Sequence, residues 1–265
     1  MTPYDRQTYA YDHAWTDERL RLAGLESALD AGTQAHLVRL GVGPGSRCVE
    51  IGAGGGTIAV WLAERVAPNG KVVATDLETD ILEGAGRSHP ALEALRHDIT
   101  ADELPDGFDL VHARWLVEWL PDKREALRRM TRALRPGGVL LDEEPDWTTI
   151  YESAEPAALR RVARAAMGYL ETTCPIDCRY GRRVLDDLIA VGLLEAEAEG
   201  RCPVVRGGSP PAADFVRLTL EKLKAAILGE RLVTAEDYAE AVAALEDPDR
   251  TIVMPMTVAA WGRRP

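Results

Sequence analysis

The feature that most constrains this chain is a short apolar run that breaks into glycine, Cys48-Val49-Glu50-Ile51-Gly52-Ala53-Gly54-Gly55-Gly56. It reads as a strand, a tight loop and the start of a helix. Glycine lets such a loop turn sharply and lets a ligand approach the backbone with no Cβ in the way. The helix that follows offers free N–H groups at its first turn. Alone, the loop does not choose its ligand, because dinucleotide sites use a related one. That fingerprint places its third glycine one position later, and position 57 is Thr.

The rest of the chain repeats the strand–helix alternation. Strands are expected at 47–51, 71–75, 95–97, 108–112 and 139–142. Helices are expected between them, near 57–66, 79–86 and 123–134. Alternation at this spacing argues for a parallel sheet with right-handed crossovers. Two helices precede it, the second running over 33–40 and ending at Gly41. After Glu144 the pattern changes to helices at 156–170, 184–191, 212–228 and 234–246. A strand at 195–205 and a closing strand at 252–261 are expected to complete the sheet. The expected organisation is a helical lid over 1–45, a core over 46–145, and helices plus the last strands over 146–265.

Two aspartates sharpen the first signal. Asp76 ends the second strand, where a carboxylate can accept both hydroxyls of a ribose. Asp98 follows the third strand and precedes Ile99, a pairing that suits an adenine amino group and ring. Either aspartate alone could equally be a helix cap. Three polar sites at three consecutive strand ends converge on one crevice.

Charge and cysteines exclude several classes. The net charge is −12, which disfavours a nucleic-acid partner. Of cysteines 48, 174, 178 and 202, Cys48 falls in an expected core strand, so no disulfide framework is expected. The pair Cys174-x-x-x-Cys178 has no neighbouring Cys or His to complete a metal site, so no metal is expected. No apolar run is long enough to cross a membrane and the start does not look like a secretion signal, so a soluble cytoplasmic protein is expected.

With these residues in view, the chain resembles the class I S-adenosylmethionine (SAM)-dependent methyltransferases. The likeness is carried by Val49–Gly56, Ala74-Thr75-Asp76-Leu77 and Arg96-His97-Asp98-Ile99. Phe108-Asp109-Leu110-Val111-His112-Ala113-Arg114 and Leu134-Arg135-Pro136-Gly137-Gly138-Val139 complete it. Outside 46–145 it is similar to an actinobacterial branch that tailors small metabolites, in Trp15, Glu18, Tyr180-Gly181-Arg182-Arg183 and Ala260-Trp261-Gly262-Arg263-Arg264. The resemblance implies a Rossmann-like, mostly parallel α/β sheet with an antiparallel last strand, an N-terminal helical lid and a C-terminal helical insertion. It implies SAM as cofactor and S-adenosylhomocysteine (SAH) as product. Glu50, Gly52, Ala53 and Gly54 would hold the methionine part, Asp76 and Leu77 the ribose edge, and Asp98 and Ile99 the adenine. His112, Ala113 and Arg114 would line the sulfonium end, with Tyr11 and Trp15 covering the cofactor. Asp/Asn-Pro-Pro-Tyr, a mark of some amino-methyltransferases, is replaced here by His-Ala-Arg-Trp.

Methyl transfer is an in-line displacement that needs chiefly alignment of donor and acceptor. A base matters for an alcohol or phenol. His112 and Glu143 are the candidate catalytic groups; the alternative for His112 is a histidine that shapes the pocket without moving protons. Arg114 either holds an anion or pairs with Glu118. Trp115, Trp147 and Tyr180 are expected to face the acceptor, although a buried aromatic is also ordinary core. The expected function is methylation of a small organic metabolite or natural product, with oxygen favoured. The alternatives are a SAM-binding enzyme that catalyses a cyclisation or rearrangement, a SAM-binding regulatory module without turnover, and, more distantly, a nicotinamide dehydrogenase. The oligomeric state is left open.

Overall fold

The computed structural model describes residues 17–265. Its first helix, α1 (Glu18–Arg39), is continuous where two short helices were expected. Gly32 and Thr33 do not end it, because both are packed. Gly32 lies against the Arg201 side chain, and the buried Thr33 hydroxyl donates to Glu143. Tertiary contact, more than local propensity, sets the length of such a helix.

The alternating units follow as β1 (Arg47–Ile51), α2 (Thr57–Val66), β2 (Lys71–Asp76), α3 (Asp80–Gly86), β3 (Leu92–Arg96) and β4 (Phe108–Arg114). A short 3₁₀ turn, Val117–Trp119, leads to α4 (Lys123–Ala133) and β5 (Leu134–Asp146). β5 is longer than expected. It pairs with β4 from Leu134 onward, and the glycine turn before Val139 only shifts the register. The remaining helices are α5 (Thr148–Ser153), α6 (Ala157–Thr173), α7 (Val184–Ala190), α8 (Ala212–Gly229) and α9 (Ala235–Glu246).

The two late strands each split at a proline, which has no N–H to donate to a ladder. The run expected at 195–205 becomes β6 (Leu194–Arg201) and β7 (Val204–Arg206), separated at Pro203. The closing run becomes β8 (Thr251–Val253) and β9 (Met256–Arg263), separated at Pro255. β7 and β8 form their own two-stranded ribbon.

The main sheet has seven strands in the order β3-β2-β1-β4-β5-β9-β6. β9 runs antiparallel to both β5 and β6, and the pairs from β3 to β5 are parallel. The chain winds outward from β1 to β3, then returns to place β4 on the other side of β1. Ligands in open α/β sheets sit beyond the carboxyl ends of the strands at such a reversal. One face of the sheet packs Val49, Val111 and Leu140 against α4 and α7; the other packs Cys48, Leu110 and Leu141 against α2 and Leu37 of α1. A third core joins α5, α6, α8 and α9 into a helical cap, with Trp115, Trp147 and Phe215 on its inner side.

Candidate active site

A crevice opens at the β1–β4 reversal, taking in about 1260 Å³ with its open mouth included. Its first half is built by strand ends. Gly52, Gly54 and Gly56 hold φ values of 69°, 56° and 84°, which side chains with a Cβ rarely adopt. Asp76 at the end of β2 braces the loop, its Oδ2 accepting from Gly54 N–H at 2.9 Å. Leu77, Asp98 and Ile99 continue the wall. Asp98 Oδ1 accepts from the Thr100 backbone and hydroxyl, which fixes the carboxylate at the rim.

Beneath the loop lies a chain of buried titratable groups. Strand register sets Glu50 beside His112, and Arg114 beside Glu143. Residues two apart share a face, so Glu50, His112 and Glu143 line up across the sheet. His112 Nε2 is 3.3 Å from Glu143 Oε2, and Nδ1 is 3.6 Å from Glu50 Oε1. α1 crosses this face, and His36 bridges Glu143 at 2.9 Å and Glu199 at 2.7 Å. Burial pulls the His112 pKa down, but its bonds to Glu143 and Glu50 outweigh that and raise it. Burial works against the Glu143 carboxylate, yet His112 and His36 hold its pKa far below the usual range. Glu50 Oε2 is buried, has no partner, and belongs to a residue that lines the crevice. An orphaned carboxylate oxygen under a glycine cradle suits the ammonium end of an amino-acid cofactor such as SAM.

The second half of the crevice is aromatic. Trp115 follows β4 with φ at 55°, a strained conformation for a bulky residue. Its Nε1–H donates to Thr257 at 3.1 Å, and its ring meets Trp147 and Phe215 edge-on at 5.3 and 5.4 Å. Glu144 on β5 accepts from the N–H groups of Leu116, Val117 and Glu118, at 3.2, 2.8 and 2.9 Å. That anchor fixes the 3₁₀ turn and presents Glu118 and Trp119 to the crevice. Glu118 is 1% exposed and its Oε2 accepts from Trp147 Nε1–H at 3.2 Å. Burial, and then the neighbouring Glu144, raise its pKa well above the ordinary carboxyl value.

Of the residues singled out in the sequence, Glu50, Gly52, Ala53, Gly54, Asp76, Leu77, Asp98, Ile99, Arg114, Trp115 and Trp147 line the crevice. Five expectations come out differently. His112 is fully enclosed between two carboxylates and is not on the crevice wall, so a general-base contact with an acceptor has no path in this conformation. Glu143 is likewise sealed by α1. Ala113, on the opposite strand face, is core. Tyr180 is buried on the far side of the sheet, where its hydroxyl donates to Asp187 and not to any ligand. Arg114 pairs with Asp30 of α1 at 2.9 Å, not with Glu118. Tyr11 and Trp15 lie outside the described residues.

Sequence reasoning expected an N-terminal helical lid but missed which residues of α1 reach the crevice. Arg21, Leu22, Leu25 and Glu26 all line the crevice. Glu26 packs against Gly55 and hydrogen-bonds Thr57 at the start of α2. Burial, then Asp30, push its pKa up to about 7. Only the apolar spacing of α1 was readable; which polar residues interrupt its inner face depends on the crossing of α1 over α2 and α8. Among the described residues no cluster fits a metal ion, and the cysteines are free.

Comparison with known proteins agrees with this layout. Residues 49–140 match a family model described as a methyltransferase domain. A trans-aconitate 2-methyltransferase from Azoarcus sp. strain BH72 is 30% identical over 176 residues, 64% of each chain. Matches to curated relatives span from 32% to 64% of those proteins. Among solved structures, the YcgJ protein of Bacillus subtilis superposes with a TM-score of 0.59 at 12% identity, covering 89% of this chain and 98% of that one. A phosphoethanolamine N-methyltransferase 2 of Haemonchus contortus in complex with SAH gives 0.55 at 19% identity, covering 89% and 53%. Sheet order, glycine loop, strand-end aspartates and family match agree that residues 49–140 carry a methyltransferase domain of the SAM-dependent, class I kind.

Proposed function

We propose that this protein transfers a methyl group from SAM to a small organic acceptor, with oxygen the favoured nucleophile. The observation that carries this reading is the two-part crevice: a glycine cradle with acidic strand ends on one side, an aromatic chamber on the other. When bound, SAM supplies a methyl carbon activated by a positive sulfur. Gly52, Ala53 and Gly54 would give the methionine part its backbone seat, with Glu50 Oε2 receiving the ammonium. Asp76 would take the ribose hydroxyls, and Asp98 with Ile99 the adenine. Trp115, Trp119, Trp147 and Phe215 would exclude water and hold the acceptor in line, the main requirement of such a displacement.

His112 and Glu143 are assigned to the floor of the site. His112 stands between the Glu50 and Glu143 carboxylates and offsets their charge. The crevice carboxyl nearest the aromatic wall is Glu118, which is suited to receive a hydroxyl hydrogen. The test is incubation with SAM and a panel of phenols, aliphatic alcohols, amines and carboxylic acids, with SAH release as readout. SAH formation with a hydroxylated acceptor is expected. SAM binding with no SAH from any acceptor, and an acceptor returned isomerised, would favour the cyclisation alternative.

A further inference from the structure

Resting on the methyl-transfer reading, we infer that the acceptor is a flat, apolar molecule, uncharged or cationic, which presents a hydroxyl or amino hydrogen to Glu118. The chamber is not built for a polycarboxylate, although trans-aconitate, the substrate named for the Azoarcus relative, is a tricarboxylate.

The first ground is charge. The crevice wall carries the carboxyl groups of Glu26, Glu50, Asp76, Asp98 and Glu118 against the guanidinium groups of Arg21 and Arg114. Both arginines are engaged by α1. Arg21 binds Glu18 through Nε and Nη2 at 2.8 and 2.7 Å, and Arg114 binds Asp30 at 2.9 Å and Thr33 at 3.0 Å. His97, also on the wall, is held neutral by burial, which lowers its pKa. Among the described residues, an anionic acceptor would therefore meet only arginines in the crevice that already have carboxylate partners. Two-pronged recognition of a carboxylate calls for a guanidinium fork that can turn to it.

The second ground is shape and polarity. Trp115 meets Trp147 and Phe215 edge-on at 5.3 and 5.4 Å, those two rings lie tilted 6.0 Å apart, and Trp119 adds a fourth aromatic wall. Flat apolar molecules stack in such a setting, and aromatic faces attract a cation but not an anion. Arg21 already uses one of these faces, lying 5.5 Å from the Phe215 centroid.

The third ground is the placement of Glu118. Its backbone N–H is tied to Glu144 and its carbonyl accepts from Asp177 N–H at 2.9 Å. Its side chain is tied to Trp147. A side chain held at three points and buried among aromatics is a fixed hydrogen-bonding mark on an apolar wall. It selects ligands that offer it a hydrogen, because an apolar molecule without one would close the crevice over a carboxyl group and offer it no partner.

The test uses the full-length protein saturated with SAH, and four probes that differ mainly in charge: 4-ethylphenol, tyramine, 4-hydroxyphenylacetate and trans-aconitate. Binding is read by calorimetry and by tryptophan fluorescence. 4-Ethylphenol and tyramine are expected to bind, with 4-hydroxyphenylacetate at least about tenfold weaker and trans-aconitate weaker still. Glu118→Gln keeps a carbonyl acceptor for Trp147 but replaces the second carboxyl oxygen with an amide donor. It should keep SAH affinity and weaken tyramine by about tenfold. Equal or tighter binding of either carboxylate probe, absence of binding by both non-anionic probes, or unchanged tyramine affinity in a folded Glu118→Gln variant overturns the inference. If that variant does not fold, the ranking of the four probes on the unaltered protein decides alone. Failure of SAH itself to bind overturns the methyl-transfer reading, and this inference with it; SAH binding with the ranking reversed overturns only the inference.

Discussion

His112 shows how much a single position can hide. Its place at the carboxyl end of a strand was legible in the sequence, and so was its choice between base and shaping group. Its enclosure was not, because it depends on Glu50 and Glu143 lying on the same face of neighbouring strands and on α1 crossing over them. Removing the imidazole strands two buried carboxylates. His112→Leu should therefore cost about 3–5 kcal/mol of stability, the range for breaking a buried charged pair by deleting one partner. Urea unfolding followed by circular dichroism measures it; a loss below about 1 kcal/mol would mean that the pairing is not charged. Glu118 teaches the reverse lesson. In sequence it was only a partner for Arg114 at helical spacing, and no local signal marks it as part of the crevice. It gets there because Glu144, on another strand, captures the N–H groups of its turn.

At the scale of elements, α1 does most to complete the site. It contributes one side of the crevice and caps the buried histidines, and it packs closely on α8. The closeness depends on Gly24: a Cβ there would stand 2.6 Å from Pro211 O and 2.8 Å from Phe215 N, both backbone atoms. Gly24→Ala should destabilise the protein by about 1–3 kcal/mol, the usual cost of overpacking. It should also shift Phe215 and weaken acceptor binding. Chemical denaturation of the variant checks the first effect; a variant as stable as the parent would show that α1 and α8 separate freely. The β/α units from β1 to β4 were legible to within a few residues, since each carries its own apolar run and turn residues, whereas β5 extends well beyond its apolar run at both ends. The late strands were less so, because a single apolar stretch gave no sign of which half pairs with the main sheet and which with the β7–β8 ribbon. Pro203 and Pro255 were the available signal.

For the molecule as a whole, pH should act through groups whose shifts point in opposing directions. Glu143, Asp109 and Asp146 have lowered pKa values, so their contribution is present above the ordinary carboxyl range and is lost as pH falls. Glu26 and Glu144 are raised to about 7, so the stability they favour is present below about 4.5 and declines as pH rises through 7. His36 and His112 are raised from 6.5, so theirs is complete below that value and lost above their folded pKa values. A net charge of −12 adds self-repulsion on the alkaline side. Thermal stability should therefore peak between about pH 4.5 and 6.5. Scanning calorimetry across pH would check this, and a Tm still rising toward pH 8.5 would contradict it. The architecture was legible because glycine loop, strand-end acids and alternation all favour one sheet; the acceptor side was not, since its walls come from α1, the 3₁₀ turn, β5 and α8, which meet only in three dimensions. The most direct measurement of the central claim is calorimetric titration of SAH into the protein and into Asp76→Ala. The account predicts one-site binding that weakens at least about tenfold in the variant, with the fold intact. No SAH binding, or equal affinity in the two proteins, would contradict the placement of the cofactor in this crevice.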